Sequence, residues 1–532
     1  MPFQDVPSDV DFIDQEHDVL RFWKDTQAFN KLRSLRKGQP TWSFVDGPIT
    51  ANNPMGVHHG WGRTYKDVYN RYWGMRGREL RYQNGFDCQG LWVEVEVEKE
   101  LGFKSKTDIE AYGLEAFVRR CKARVLNFSA VQTEQSIRLG YWMDWNDTAQ
   151  LRALAETLMS NPSQVITVEG SEGPVTDTVE QIVGRLGLAE LGGSYYTFST
   201  ENNYMIWSFL KKCWEKGWLY RGADVMPWCP RCATGISQHE IVTDGYRELT
   251  HASITLRLPL RERTGESLLV WTTTPWTLTS NVAAAVGPDL TYAKVRNGDH
   301  ILYLSKGTLH MLSGPYELLG ELQGREMEGW TYDGPFDELP SAQSPGGFHP
   351  FAQEFHDVGE ASAVSAHRVI LWDAVGEAEG TGIVHIAPGC GAEDFDLGKK
   401  HMLPIISPLN DDSRFVDGFG WLVGVHVADV ASPIFEDLTR KGILYVVEPY
   451  THRYPTCWRC GTELVFRLVD EWFISMGELY DKPREEVTPE EKARSLRYQI
   501  MDVVDQIRWI PDFGHARELD WLRNMHDWMI SK

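Results

Sequence analysis

Four cysteines in two Cys-x-x-Cys pairs, Cys229/Cys232 and Cys457/Cys460, have the residue type and spacing of metal ligands. Each pair runs into a small-residue turn, Ala233-Thr234-Gly235 in one and Gly461-Thr462 in the other. Two such knuckles supply four thiolates, the usual complement of a tetrahedral structural zinc. A redox pair, or two unrelated buried pairs, would use the same residues. Roughly 220 residues separate the knuckles, far more than a ribbon loop, so one shared site requires a whole domain inserted between its halves. Cys88, Cys121, Cys213 and Cys390 read as core or site-lining residues.

A second chemical signal lies at 42–76. Trp42, Phe44 and Val45 read as a short buried strand, broken by Asp46-Gly47-Pro48, with Asn52-Asn53-Pro54 rounding a loop. From about His58 the residues Trp61, Tyr65, Val68, Tyr69 and Tyr72 recur at helical spacing. A helix opening on His58 and His59 offers free N–H groups, a positive dipole end and two imidazole donors to a phosphate. The same histidine pair serves equally well for capping or packing.

The elements that must hold these residues follow from pattern. Residues 9–37 predict an amphipathic helix with Phe12, Ile13, Val19, Leu20, Phe22, Trp23 and Phe29 on its apolar face. Residues 93–99 alternate valine and glutamate like a strand, with a helix also open to them. Residues 108–140 predict a helix with Phe117, Val118, Cys121, Val125, Phe128 and Ile137 inward. Residues 149–193 change character and read as a small inserted subdomain: a helix at 151–159, a strand at 164–168 and a helix at 177–188. Its Gly170-Ser171-Glu172-Gly173-Pro174 lacks the lysine of a phosphate loop, which favours a surface decoration without chemistry. Residues 203–217 resume a helical pattern. From 250 to 450 the chain turns strand-rich, at 252–258, 267–273, 300–304 and 383–386, a composition that suggests a β-barrel-like domain.

With 532 residues, two or three domains are expected. A formal charge of -22 excludes an overall basic field that would attract nucleic acid, leaving only local patches for that task. Met1-Pro2-Phe3-Gln4-Asp5 lacks a signal-peptide pattern and no apolar run reaches membrane-spanning length, so a cytoplasmic protein is expected. In that compartment eight cysteines do not suggest a disulfide framework.

Four blocks in order resemble the class I aminoacyl-tRNA synthetases, and among them the isoleucyl-tRNA synthetase family. They are the region from Asp46-Gly47-Pro48 to Arg71; Gly85-Phe86-Asp87-Cys88-Gln89-Gly90-Leu91; the two knuckles flanking an insertion; and, inside it, Trp271-Thr272-Thr273-Thr274-Pro275-Trp276-Thr277 with Gly382-Ile383-Val384-His385-Ile386-Ala387-Pro388-Gly389. Cys457-Trp458-Arg459-Cys460 and Asp470-Glu471-Trp472-Phe473-Ile474 tilt the resemblance to the isoleucyl group. It implies an α/β fold: an incomplete Rossmann-like catalytic domain with an inserted β-barrel editing domain and a zinc-knuckle base. The implied boundaries are 1–148 for the first part of the catalytic domain, 149–193 for the small insert, 194–240 for a segment with the first knuckle, 241–450 for the editing domain and 451–532 for the second knuckle and the return.

The resemblance further implies ATP-dependent activation of isoleucine, with Mg2+, and its transfer to tRNA(Ile), with Zn2+ held structurally by Cys229, Cys232, Cys457 and Cys460. Pro48, Asp87 and Trp472 would line the isoleucine pocket, Asp87 pairing the ammonium. His59, with His58 beside it, would stabilise charge on the α-phosphate. Isoleucine and valine differ by one methylene, worth only about 1–3 kcal/mol in a pocket, a value established for enzymes of this kind. A second site must therefore hydrolyse the valyl ester. There Thr272, Thr273 and Thr274 would exclude isoleucine, Asp394 would hold the ammonium and His385 would lie near the ribose.

Three departures accompany the resemblance. Gly56-Val57-His58-His59 stands where the family has His-x-Gly-His, so the first histidine is missing and a side chain replaces the glycine under adenine. Cys390 stands where a histidine is common, and Thr279 replaces a proline. No Lys-Met-Ser-Lys-Ser loop or anticodon-binding domain follows Asp527 to Lys532, which sets the expectation of a fragment, or of one half of a split enzyme whose other half is a separate chain. The rival expectations are a free-standing deacylase of valyl-tRNA and a non-catalytic tRNA-binding derivative.

Overall fold

The structure is a computed structural model that describes residues 9–44, 47–171, 173–237, 240–241, 245–344 and 362–531. The expectations placed on residues 1–5, Val45, Asp46, Glu172 and Lys532 lie outside the described residues. The chain forms two compact units, Met1–Lys212 and Cys213–Lys532.

The first unit opens on α1 (Phe12–Asp25) and α2 (Ala28–Arg36). Asp11 caps α1, its carboxylate accepting from Ile13 N at 2.9 Å and Asp14 N at 3.1 Å. The single helix expected over 9–37 is therefore two, because Gln27 adopts a left-handed φ of 53°. Short parallel strands follow: β1 (Thr41–Trp42) and β2 (Ile49–Thr50), then, after α3 (Val57–Met75), β3 (Glu79–Leu80) and β4 (Gly85–Asp87). β1 pairs β3, and β2 pairs β4. Strand, helix and parallel strand make the βαβ unit of an α/β fold.

Next come α4 (Leu91–Leu101), α5 (Thr107–Tyr112) and α6 (Leu114–Arg138). The strand-like alternation at 93–99 resolves as helix α4. Val93 and Val97 are buried one turn apart, and Glu98 is fully buried in an ion pair with Lys106 at 2.7 Å. The helix expected over 108–140 breaks at Gly113, whose φ of 101° interrupts the spiral.

The segment expected to be an insert contributes α7 (Thr148–Ser160), the hairpin β5 (Val165–Gly170) and β6 (Gly173–Thr178), and α8 (Val179–Gly184). Gly170 to Gly173 is thus a hairpin turn. Leu151, Leu154, Leu158, Val179 and Ile182 share one core with Phe86, Val125, Leu126 and Ala130. Its apolar side completes this unit's interior instead of decorating the surface. β7 (Tyr195–Tyr196) then adds to β4 in parallel, and α9 (Thr200–Glu215) follows.

The second unit begins with β8 (Leu219–Cys229) and β9 (Thr234–Gly235). The strand-rich stretch comprises β10 (Tyr246–Pro259), β11 (Glu266–Thr272), β12 (Ala283–Val286), β13 (Thr291–Asn297), β14 (His300–Ser305), β15 (Tyr316–Gln323), β16 (Val369–Leu371) and β17 (Ile383–Ile386). Helix α10 (Ala392–His401), β18 (Leu444–Pro455), β19 (Val465–Ile474) and β20 (Trp528–Met529) follow.

Where a β-barrel was expected, the pairing gives a six-stranded sheet in the order β15-β13-β14-β11-β10-β18 and a three-stranded sheet β16-β12-β17. Isolated bridges Leu260–Tyr332 and Thr331–Arg368 stitch the two, and both contribute to one core that includes Leu256, Val270, Ala284 and Ile386. A second sheet system, β20-β19-β8-β9, carries the knuckles. The antiparallel ribbon of β10 and β18, paired from Tyr246–Pro455 to Leu256–Leu444, runs between the two systems.

Candidate functional site: a threonine-lined cavity and a four-cysteine cluster

A cavity of about 400 Å³ opens in the second unit, within the range that takes small ligands. Its wall includes Thr272, Thr273, Thr274, His385 and Asp394, residues from three separate elements. β11 ends at Thr272, whose hydroxyl accepts from Thr274 N at 3.1 Å and turns the chain. Pro275 then starts a 3-10 helix, Pro275–Ser280, with its fixed φ at a position needing no N–H. His385 sits on β17, registered against Ala284 of β12. Asp394 lies in the first turn of α10, where the helix dipole favours a carboxylate, and its Oδ2 accepts from Ala387 N at 2.8 Å.

The carboxyl groups on the wall are those of Glu379 and Asp394. Burial pushes the Asp394 carboxyl up to about 7, and no lysine or arginine lines the cavity among the described residues. Burial also lowers His385 to about 4, so its ring stays neutral at pH 7. Cys390 lines the same wall, its thiol pushed up by burial. Thr279, which stands in place of a proline, donates its hydroxyl to Trp276 O at 2.8 Å and so closes the short helix by another means.

Sequence reasoning left out Thr277. Its hydroxyl lies 2.9 Å from His385 Nε2 and 2.8 Å from Thr274 O. The periodicity of the block carries no signal for it; only the juxtaposition with β17 does.

The four knuckle cysteines come together. Their Sγ atoms all lie within 4.8 Å of one another, although Cys229 and Cys457 are far apart in sequence. Cys229 ends β8, and Cys457 follows β18 at the foot of the ribbon. Cys232 N donates to Cys229 Sγ at 3.4 Å, while Ala233 and Gly461 turn with φ of 45° and 78°. Four soft thiol donors, three buried and Cys460 half-buried, fit a zinc-type ion.

In the first unit the anticipated nucleotide end is differently built. His59 Nδ1 accepts from Gly56 N at 3.1 Å, and the His58 and His59 rings lie 3.8 Å apart. A Cβ at Gly56 would meet the His58 ring at 2.9 Å, so the glycine is needed where the histidine folds back. Burial, then His58 and Arg63, lower the His59 pKa. Pro48 is half-buried beside β2, and Asp87 Oδ2 accepts from the Thr50 hydroxyl at 2.8 Å across the β2–β4 pair. Asp87 is thus a strand residue with a directed partner, not a free turn former. Trp472, in the second unit, lies on β19; the residue is 41% exposed and its backbone N–H donates to Ser531 Oγ at 2.7 Å.

Helix α3 turns its aromatic side outward. Trp61, Tyr65, Val68, Tyr69 and Tyr72 are exposed, whereas Arg63, Asp67, Asn70 and Gly74 are buried. The polar face is the buried one, and it has specific partners. Arg63 donates to Ser136 Oγ at 2.5 Å, and Asp67 accepts from Arg71 Nε at 2.5 Å and Trp142 N at 3.1 Å.

The family model described as tRNA synthetases class I (I, L, M and V) matches residues 18–175 and 168–532. The chain belongs to that family. Within these class I synthetases, an isoleucine--tRNA ligase from Streptomyces coelicolor is 33% identical over 536 residues, covering 100% of this chain and 43% of the relative. One from Pyrococcus horikoshii is 34% identical over 527 residues, covering 97% of this chain and 42% of the relative. The chain therefore spans less than half the length of the curated class I synthetases it matches. Among solved structures, the editing domain of P. knowlesi cytosolic leucyl-tRNA synthetase aligns with 40% of this chain and 98% of itself, at 10% identity and a TM-score of 0.26. Among the described residues of this synthetase chain, no helix is long and apolar enough to cross a membrane.

Proposed function

We propose that this chain carries the first part of the activation domain and the editing domain of an isoleucine–tRNA ligase. The whole reaction is ATP-dependent activation of isoleucine and its transfer to tRNA(Ile), with hydrolysis of mischarged valyl-tRNA(Ile). The observation that carries the reading is the convergence of Thr272, Thr273, Thr274, His385 and Asp394 on one cavity of about 400 Å³. A cavity with two carboxylates on its wall, Asp394 and Glu379, and no lysine or arginine among the described residues suits an α-ammonium, and threonine methyls at its wall limit the side chain. Asp394 pairs the ammonium as it ionises, the threonines discriminate by size, and His385 lies at the ribose.

On the activation side, Asp87, held by Thr50, is the counter-ion for the isoleucine ammonium, with Pro48 as an apolar wall. The N-terminus of α3 and His59 receive the α-phosphate of ATP, with Mg2+ as its counter-ion. When bound, zinc supplies a structural cross-link, for which Cys229, Cys232, Cys457 and Cys460 are the ligands.

A second reading, a deacylase acting without activation, is favoured by one observation: every editing residue named lies in the second unit. Two assays on the purified chain separate the readings. Valyl-tRNA(Ile) hydrolysis together with saturable binding of isoleucine or ATP supports the ligase part. Hydrolysis with no binding of either supports the deacylase, and the absence of both hydrolysis and binding contradicts both readings.

A further inference from the structure

The Thr277 hydroxyl has one proton and two short contacts, at 2.8 Å to Thr274 O and 2.9 Å to His385 Nε2. A carbonyl oxygen accepts only, so the 2.8 Å contact is a hydrogen bond only if Thr277 donates to it. The hydroxyl oxygen must then accept from His385, which places that ring's single proton on Nε2. In the opposite arrangement two oxygen lone pairs would face each other at 2.8 Å and Nδ1–H would be a buried donor without a partner, an arrangement that costs about 1–3 kcal/mol. With the proton on Nε2, Nδ1 is a bare acceptor. It is buried and has no hydrogen-bond partner, on a ring that lines the cavity.

A buried acceptor calls for an O–H or N–H from the occupant. An aminoacyl ester brings an ammonium, which the Asp394 carboxylate takes. The donors left are hydroxyls: the vicinal hydroxyl of the terminal ribose, and the attacking water. We infer that Thr277 is a positioning residue that fixes His385 as its Nε2–H tautomer, presenting Nδ1 to a hydroxyl donor of the bound aminoacyl ester or its attacking water. The inference rests on the editing reading of the cavity. His385 then orients the hydroxyl without removing its proton, since burial keeps the ring a weak base.

The test has two parts on the full chain. The first is 15N NMR of histidine-labelled protein at pH 7, with the His385 signals assigned by their loss in His385→Gln. A proton on Nε2 in the wild type, and a mixed population in Thr277→Val, is the expected result. A wild-type ring protonated on Nδ1 overturns the inference. This part needs no turnover, so failure of the editing reading, seen as no ester hydrolysis at all, is distinguishable from failure of the tautomer assignment.

The second part is deacylation of valyl-tRNA(Ile). Thr277→Val lowers kcat about tenfold, the worth of one hydrogen bond, with KM little changed, and Thr277→Ser restores it. Equal loss in the serine variant, or no loss in the valine variant, contradicts the inference. A tRNA whose terminal ribose lacks the vicinal hydroxyl identifies the donor. If the valine variant costs nothing on that substrate the donor is the ribose, and if the cost persists it is water.

Discussion

The two histidine sites of this chain are built on opposite principles. His385 is buried and hydrogen-bonded to Thr277, in a cavity whose carboxylate sits in a helix's first turn. His58 is exposed, and the helix it opens turns Trp61, Tyr65 and Tyr69 to solvent. Around His385 two sheets share one apolar core, so the polar residues of the wall are fixed from behind. Along α3 the buried side is polar and the open side aromatic. A pocket wall backed by one apolar core, with no lysine or arginine on it among the described residues, fixes its polar groups in place. An open helix face takes its final environment from whatever covers it.

That contrast can be broken at several points. The largest effect is expected at Asp394. Its replacement by alanine removes the buried carboxylate that the editing reading assigns to the ammonium, leaving Glu379 on the wall, and the rate of valyl-tRNA(Ile) hydrolysis should fall about 100-fold or more. Conservation of rate would move the ammonium site elsewhere.

Asp394 also predicts a pH dependence of stability. Its folded-state pKa, about 7, lies above the ordinary 3.8, so the folded protein holds a proton that the unfolded chain releases. That contribution is complete below pH 3.8 and is lost as pH rises through about 7, with a slope of up to about 1.4 kcal/mol per unit. Asp394→Asn abolishes the effect. Denaturant melts should show the variant gaining on the wild type by on the order of 2 kcal/mol between pH 5 and pH 8. A constant difference across that range would mean that the carboxyl is well solvated.

A pair of substitutions on one helix probes the other region. Asp67→Ala strips the acceptor from Trp142 N and Arg71 and should cost about 1–3 kcal/mol. Tyr69→Ser, on the aromatic side, should stay within about 0.5 kcal/mol. Reversed magnitudes in urea titrations would show that α3 buries its aromatic face after all. The smallest effect is expected for His59→Ala, which should leave ester hydrolysis within about twofold because His59 and the cavity residues belong to different compact units. A larger loss in the deacylation assay would couple them.

How legible the molecule was in its sequence differs between the same regions. The strands at 252–258, 300–304 and 383–386 all fall inside observed strands, because each combines β-branched or aromatic residues with flanking turns. The threonine block, His385 and Asp394 do meet, and the four cysteines do cluster. The helical spacing of Trp61, Tyr65, Val68, Tyr69 and Tyr72 holds in α3, but spacing alone does not say which face is buried when polar residues compete for the interior. Here Arg63, Asp67 and Asn70 find specific partners on α6 and the segment after it. The valine–glutamate alternation at 93–99 was ambiguous because Glu98 is buried, and its partner Lys106 lies outside any local window. Thr277 was missed because its role exists only once β17 is placed beside the 3-10 helix, a long-range fact.

The most direct test of the central claim is the ratio of hydrolysis rates for valyl-tRNA(Ile) and isoleucyl-tRNA(Ile) by the purified chain. The account predicts that the valyl ester is hydrolysed well above its spontaneous rate and the isoleucyl ester is not. Equal hydrolysis of both esters, or of neither, would contradict the assignment of the threonine-lined cavity as an editing site.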